Sequence, residues 1–152
     1  MTQQADGSHL SPRSALVAGF GPVGRLVAEG LAEAGFAVTV LELNPATVAT
    51  QKNLGRSILL ADARDPEALR RAGLASADTL VLTMPSADDA VAACRAARQV
   101  NPTVYINARA NFVSQGIAAL REGADDVTIE ELVTAEAMRD AALRRLAQTA
   151  HP

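Results

Sequence analysis

Gly19-Phe20-Gly21-Pro22-Val23-Gly24 is the feature that most narrows what this chain can fold into. A G-x-G-x-x-G pattern carries weight only between a strand and a helix. Here residues 15–20 (ALVAGF) read as a buried strand, and residues 23–34 follow as a helix. Each glycine has a mechanical task. Gly19 permits the tight turn, Gly21 lets the backbone approach a pyrophosphate, and Gly24 allows the helix to pack closely on the strand. The free N–H groups of the helix's first turn, aided by its dipole, then attract phosphate. The competing reading is a glycine turn kept for its shape in a domain that binds no nucleotide.

The rest of the chain repeats the alternation. Strands are expected at residues 37–42, 57–61, 80–83, 104–107 and 127–129. Helices between them carry start signals: Asn44 before Pro45, Asp65 before Pro66, and Ser86 before Asp88 and Asp89. A capping side chain followed by proline at the first helical position satisfies one orphan N–H and removes another. The two acids suit the positive end of a helix dipole. A fifth helix is expected at 112–121, closed by Glu122-Gly123, and a final one at 130–147.

Strands regularly separated by helices predict an α/β fold. The expected architecture is a Rossmann-like, doubly wound parallel sheet of about six strands with helices on both faces. One domain is expected over residues 14–147. Residues 1–13 read as a flexible tail or linker, and 148–152 as a frayed end.

Composition bounds the function. The chain has 152 residues, 49% hydrophobic and 20% charged, which suits one globular domain. Aromatic residues are only 3%, so Leu, Val, Ile and Ala must fill the core. A net charge of −3, a single lysine (Lys52) and scattered arginines argue against a nucleic-acid surface. His9 and His151 fall near the ends, which disfavours chemistry needing a central imidazole. Cys94 has no disulfide partner and sits on an alanine-rich helix face, so it reads as a small core or interface residue. No apolar run approaches the ~20 residues of a membrane span. Residues 1–14 lack the apolar stretch of a signal peptide.

Glu42 ends the second strand, with Leu43 beside it. An acid there can accept hydrogen bonds from both hydroxyls of an adenosine ribose and would repel a 2′-phosphate. That favours NAD(H), AMP, ADP or ATP over NADP(H). Asp62 follows the third strand, where it either meets the adenine edge or caps the strand end with Asp65. Thr83 and Met84 follow the fourth strand; they line the second ribose or phosphates, or form a simple loop. Arg109 comes just after the fifth strand. It pairs with phosphate, with an acid across a subunit boundary, or in an ordinary surface ion pair.

An NAD-dependent oxidoreductase is the main rival. Hydride transfer usually needs a proton donor and a covered cofactor. The chain offers no internal histidine, Lys52 lies in the second helix, and Tyr105 has no Tyr-x-x-x-Lys partner. A methyltransferase-like nucleoside binder would want a different glycine-loop spacing. The expectation is a binder without catalysis.

GFGPVG, VTVLELNP, ADARDPEALRRAGLASADTLVLTMP, YINARA and EGADDVTIEE stand in this order along residues 14–142. Together they resemble the RCK domain, also called KTN or TrkA-N, which regulates potassium transport. The likeness is greatest to cytosolic domains of Kef-type potassium/proton antiporters of the cation:proton antiporter-2 group. The resemblance implies a domain that binds NAD(H), AMP or ATP, dimerises, and gates a potassium channel, transporter or antiporter from the cytoplasmic face of the membrane. It places Gly19, Gly21 and Gly24 at the phosphates, Glu42 at the ribose, and Asp62 and Ala63 at the adenine. Arg109 falls near the phosphates or the dimer interface, and Phe20, Pro22, Val23, Leu43, Thr83 and Met84 complete the site. Many members carry arginine where Pro22 stands. With no transmembrane half and no second ligand-binding domain, the chain is expected to be an excised domain or a separate subunit.

The final helix carries Leu132, Ala135, Met138, Ala142 and Leu146 at three- and four-residue steps. Packing against its own sheet is the first expectation for this stripe. A homodimer or crossover contact is the alternative.

Overall fold

The structure, a computed structural model, describes residues 12–149. Its strands are β1 (Ser14–Ala18), β2 (Ala37–Glu42), β3 (Ile58–Leu60), β4 (Thr79–Leu82), β5 (Tyr105–Ala110) and β6 (Asp126–Ile129). Its helices are α1 (Pro22–Glu33), α2 (Pro45–Asn53), α3 (Pro66–Arg71), α4 (Ala87–Val100), α5 (Val113–Arg121) and α6 (Glu130–Thr149). The six strands form one sheet in the order β3-β2-β1-β4-β5-β6, and every pairing is parallel. The order reverses between β1 and β4, which opens a crevice outside their carboxyl ends.

Side chains of a strand alternate between faces, and the core follows that rule. Leu16, Ala18 and Leu41 face a large cluster with Leu69, Leu74, Cys94 and Ala97 from the elements between β3 and β5. Val17 and Val40 face the other side, against Ala28 of α1 and Val48 of α2. Small residues make the first cluster work without aromatics. Ala90, Ala93, Cys94 and Ala97 line the buried side of α4 and let it lie close to the sheet.

The expected caps form. Asn44 Oδ1 accepts from the N–H of Ala46 at 3.0 Å, Asp65 Oδ1 from Glu67 at 2.9 Å, and Ser86 Oγ from Asp89 at 3.2 Å.

Several boundaries differ from expectation. β1 ends at Ala18, because Gly19 turns the chain at φ +97°; Phe20 is buried by packing beside α1 and α2, outside the strand. β5 runs on to Ala110, where Arg109 and Ala110 pair with Thr128 and Ile129, so Arg109 is a strand residue. Leu74–Ser76 form an unexpected 3₁₀ turn that buries Leu74. Arg13, assigned to the tail, is tied to the fold: its carbonyl accepts from Ala37 at 2.8 Å, and its guanidinium stacks on Phe36. Gln148 and Thr149, read as frayed, belong to α6, and residues 150–152 lie outside the described residues.

The largest difference is α6. The packing expected against its own sheet is not made: none of its residues is buried in the single chain. Leu132, Val133, Met138, Leu143 and Leu146 stand exposed. A stripe at helical spacing says only that a face is apolar. What covers it depends on where β6 ends and which way the chain leaves the sheet.

Candidate functional site

The crevice at the carboxyl ends of β1 and β4 holds a cavity of about 450 Å³, within the range of small-molecule sites. Its floor is the glycine turn. The N–H of Gly19 donates to the Leu41 carbonyl at 2.8 Å, joining the turn to β2. A Cβ on Gly24 would lie 2.0 Å from the Gly19 carbonyl oxygen, so only glycine allows α1 to start this close to β1. Nothing lies within 4 Å of the corresponding position on Gly21. No side chain caps α1, whose Ncap is Gly21 and whose first turn holds no acid. Its orphan N–H groups are thus left for an anion.

Thr83 locks the turn from the β4 side. Its hydroxyl lies 2.9 Å from the Ala18 carbonyl oxygen and 3.2 Å from that of Gly19, and the residue is buried. It therefore serves the turn's shape as well as lining the cavity with Met84.

Glu42 closes one side. Oε2 accepts from the N–H of Phe20 at 2.8 Å, and Oε1 accepts from Leu43 and Asn44 at 2.8 and 2.9 Å. A carboxylate offers roughly four acceptor positions. Three are engaged, and the group is held at the cavity wall.

Asp62 also lines the cavity, but its carboxylate neither caps a helix nor stands open. Arg64 grips it through Nη2 at 2.8 Å and Nε at 3.0 Å, while Nη1 reaches Asp89 at 2.9 Å. Those hydrogen bonds hold the Asp62 carboxyl below its ordinary pKa. Asp65, offered as its capping partner, caps α3 alone.

Arg109 projects from β5 toward the same cavity. Its Nη1 donates to the Thr83 carbonyl at 3.0 Å, and it forms an ion pair with Glu130, the first residue of α6. The acid it pairs with is therefore in its own chain.

The cavity thus brings together Gly19, Phe20, Gly21, Pro22, Val23, Glu42, Leu43, Asp62, Ala63, Thr83, Met84 and Arg109. Gly24 lies beneath it. Arg64 and Asp89 were missed by sequence reading. Arg64 was legible as a charged neighbour of Asp62 on a strand-end loop; Asp89 was read only for its effect on the helix dipole. The groups considered for oxidoreductase chemistry stand apart. Tyr105 begins β5, at the strand end opposite the cavity, and donates to Asp126 at 2.9 Å. Lys52 is in the last turn of α2 and does not line the cavity.

A parallel sheet reversing between β1 and β4, with a glycine turn beside a strand-end acid, defines a Rossmann-like domain. The chain belongs to the TrkA-N domain family, whose model matches residues 15–130. It is 31% identical over 124 residues to YbaL of Escherichia coli strain K12, a candidate cation/proton antiporter. That match covers 82% of this chain and 22% of YbaL, so the chain spans about a fifth of that relative's length. The crystal structure of the TrkA-N domain of the inner membrane protein YbaL superposes with a TM-score of 0.81 at 29% identity, over 86% of this chain and 96% of that one. The Kef CTD of Shewanella denitrificans, solved in an AMP-bound form, gives a TM-score of 0.76 at 25% identity, over 88% and 81%. Among the described residues, no helix is long and apolar enough to cross a membrane.

Proposed function

We propose that this domain binds an adenine nucleotide, NAD(H) or AMP, ADP or ATP, in the β1/β4 crevice. In doing so it regulates potassium transport or potassium/proton antiport by an attached or partner membrane protein, at the cytoplasmic face. The observation that carries the reading is Glu42: a carboxylate held at the cavity wall beside the glycine turn, where ribose hydroxyls would donate to it. Its charge disfavours the 2′-phosphate of NADP(H). The AMP-bound form of the Kef relative supports an adenine ligand. The ligand is a signal rather than a reactant, since the considered proton donors lie away from the cavity.

A regulatory domain must pass its state on, and α6 is the surface for that. Its exposed Leu132, Met138 and Leu146, with Ile117 and Leu120 exposed on α5, need a cover. A second copy of the chain is the proposed one. Nucleotide binding then shifts the angle between the two domains, by no more than the ligand's differential affinity for the two arrangements permits.

Thermal-shift titration with NAD⁺, NADH, NADPH, AMP, ADP and ATP tests the ligand reading. A nucleotide at 100 times its Kd stabilises by about 2.7 kcal/mol, a rise of roughly 5–10 °C for a domain of this size. A rise with adenine nucleotides but not NADPH is expected; no rise with any sinks the reading. Sedimentation tests the dimer, which Met138→Asp should convert to monomer. A wild-type monomer with and without nucleotide would sink it.

A further inference from the structure

We infer that Arg64 recognises the phosphate of the bound nucleotide, exchanging its two carboxylate partners for it; this rests on the adenine-nucleotide reading above. Phosphate laid against the glycine turn meets a wall whose charged members are Glu42, Asp62, Asp89, Arg64 and Arg109. Carboxylates outnumber guanidiniums there, so a phosphate needs a cation that can turn toward it.

The turn itself supplies none. Pro22 opens α1 with neither a side-chain donor nor an N–H. Arg25, next along the helix, pairs with Glu29 at 3.1 Å and does not line the cavity. Arg109 is committed from two sides, to the Thr83 carbonyl and to Glu130, and its side chain is only 23% exposed. Moving it would strip a partner from a backbone carbonyl.

Arg64 differs on each count. Its side chain is 44% exposed, and both partners are carboxylates of the same cavity, with side chains 35% and 37% exposed. The pair with Asp62 is bidentate, but water reaches both groups and screens it, so the guanidinium can exchange partners at low cost. A phosphate group offers the guanidinium fork a bidentate acceptor of comparable geometry and higher charge. The exchange has a second effect. Freed from Arg64, the Asp62 carboxylate presents acceptor positions to the cavity, and the exocyclic amino group of adenine is a matching donor. One movement thus provides a cation for the phosphate and an acceptor for the base.

Isothermal titration of the full chain with adenosine and with AMP separates the two readings. Wild type should bind AMP about tenfold or more tightly than adenosine, the scale of hydrogen bonds to a charged group. Arg64→Ala should lose most of that preference, down to what the first-turn N–H groups of α1 supply, while still binding adenosine. Arg64→Gln, which keeps a polar end without charge, carries the same expectation should the alanine variant not fold. An unchanged AMP-to-adenosine ratio in the variants overturns the role of Arg64 and leaves the nucleotide reading standing. So does a wild type that binds the two ligands alike. If wild type binds neither, the nucleotide reading fails and this inference with it.

Discussion

The backbone N–H of Phe20 donates to Oε2 of Glu42 at 2.8 Å, across 22 positions of sequence. The acid at the end of β2 thereby steadies the glycine turn that precedes it. A ribose diol bringing two donors to this carboxylate meets a group with one acceptor position to spare, so one backbone donor must share or yield. On the proposed nucleotide reading, turn geometry and ligand occupancy would be coupled through this carboxylate.

Glu42→Ala should therefore act on both. Loss of the acceptor for the half-buried Phe20 N–H, with water replacing it at Leu43 and Asn44, should cost about 1–2 kcal/mol of stability. The AMP-induced thermal shift should largely vanish, since two hydrogen bonds to a charged group are lost. Urea unfolding and AMP titration of the same sample check this. A variant that is destabilised yet keeps the full AMP shift would make Glu42 a structural residue only.

Gly24 and Gly21 should separate fold from binding. Gly24→Ala puts a methyl group 2.0 Å from the Gly19 carbonyl oxygen and 2.7 Å from Thr83 Oγ1. Backbone must shift, at a cost of about 1–3 kcal/mol or more. Gly21→Ala meets nothing within 4 Å and sits at φ −72°, so the apo fold should unfold within about 0.5 kcal/mol of wild type. Its methyl group should still weaken nucleotide binding where close backbone approach is needed. Equal stability losses in the two variants would contradict this division.

Cys94 should be inert in the folded protein. It is fully buried in the α4 face, and burial pushes its thiol up to about 11, leaving almost no thiolate at pH 7. Labelling by a thiol reagent should be slow in buffer and rapid in denaturing urea. Fast labelling of the native protein would show that α4 opens readily from the sheet.

Acid should destabilise the domain from about pH 4 downward. Hydrogen bonds from Arg25 and Arg56 lower the pKa of Glu29, those from Arg64 lower Asp62, and one from Arg95 lowers Glu122. Each group takes up its proton at higher pH in the unfolded chain than in the folded one. The stabilisation is thus complete above the unfolded values and is lost as pH falls through the folded ones. Urea midpoints measured from pH 7 to pH 3 should fall at the acid end. Midpoints that hold steady to pH 3 would count against these pairs.

Much of this was legible in the residues themselves, for local reasons. Gly19, Asn44-Pro45, Asp65-Pro66 and Ser86 act on backbone groups within a few positions, so their patterns name turns and helix starts directly. Apolar runs of period two and amphipathic runs of period 3.6 mark strands and helices. Their alternation leaves few topologies besides a doubly wound sheet. The glycine turn and Glu42 could be assigned to one crevice because the fold class sets where strand ends meet.

Tertiary structure decided what sequence spacing carries no trace of. The hydroxyl of Thr83 reaches back across the sheet to the Ala18 and Gly19 carbonyls, and Arg64 bridges from the β3 end to α4. Arg109 finds its acid at the start of α6 because β5 runs further than its apolar residues suggest. Whether α6 is covered depends on the direction in which the chain leaves β6. Periodicity reports that a helix has an apolar face; only the path of the chain through space determines what lies against it.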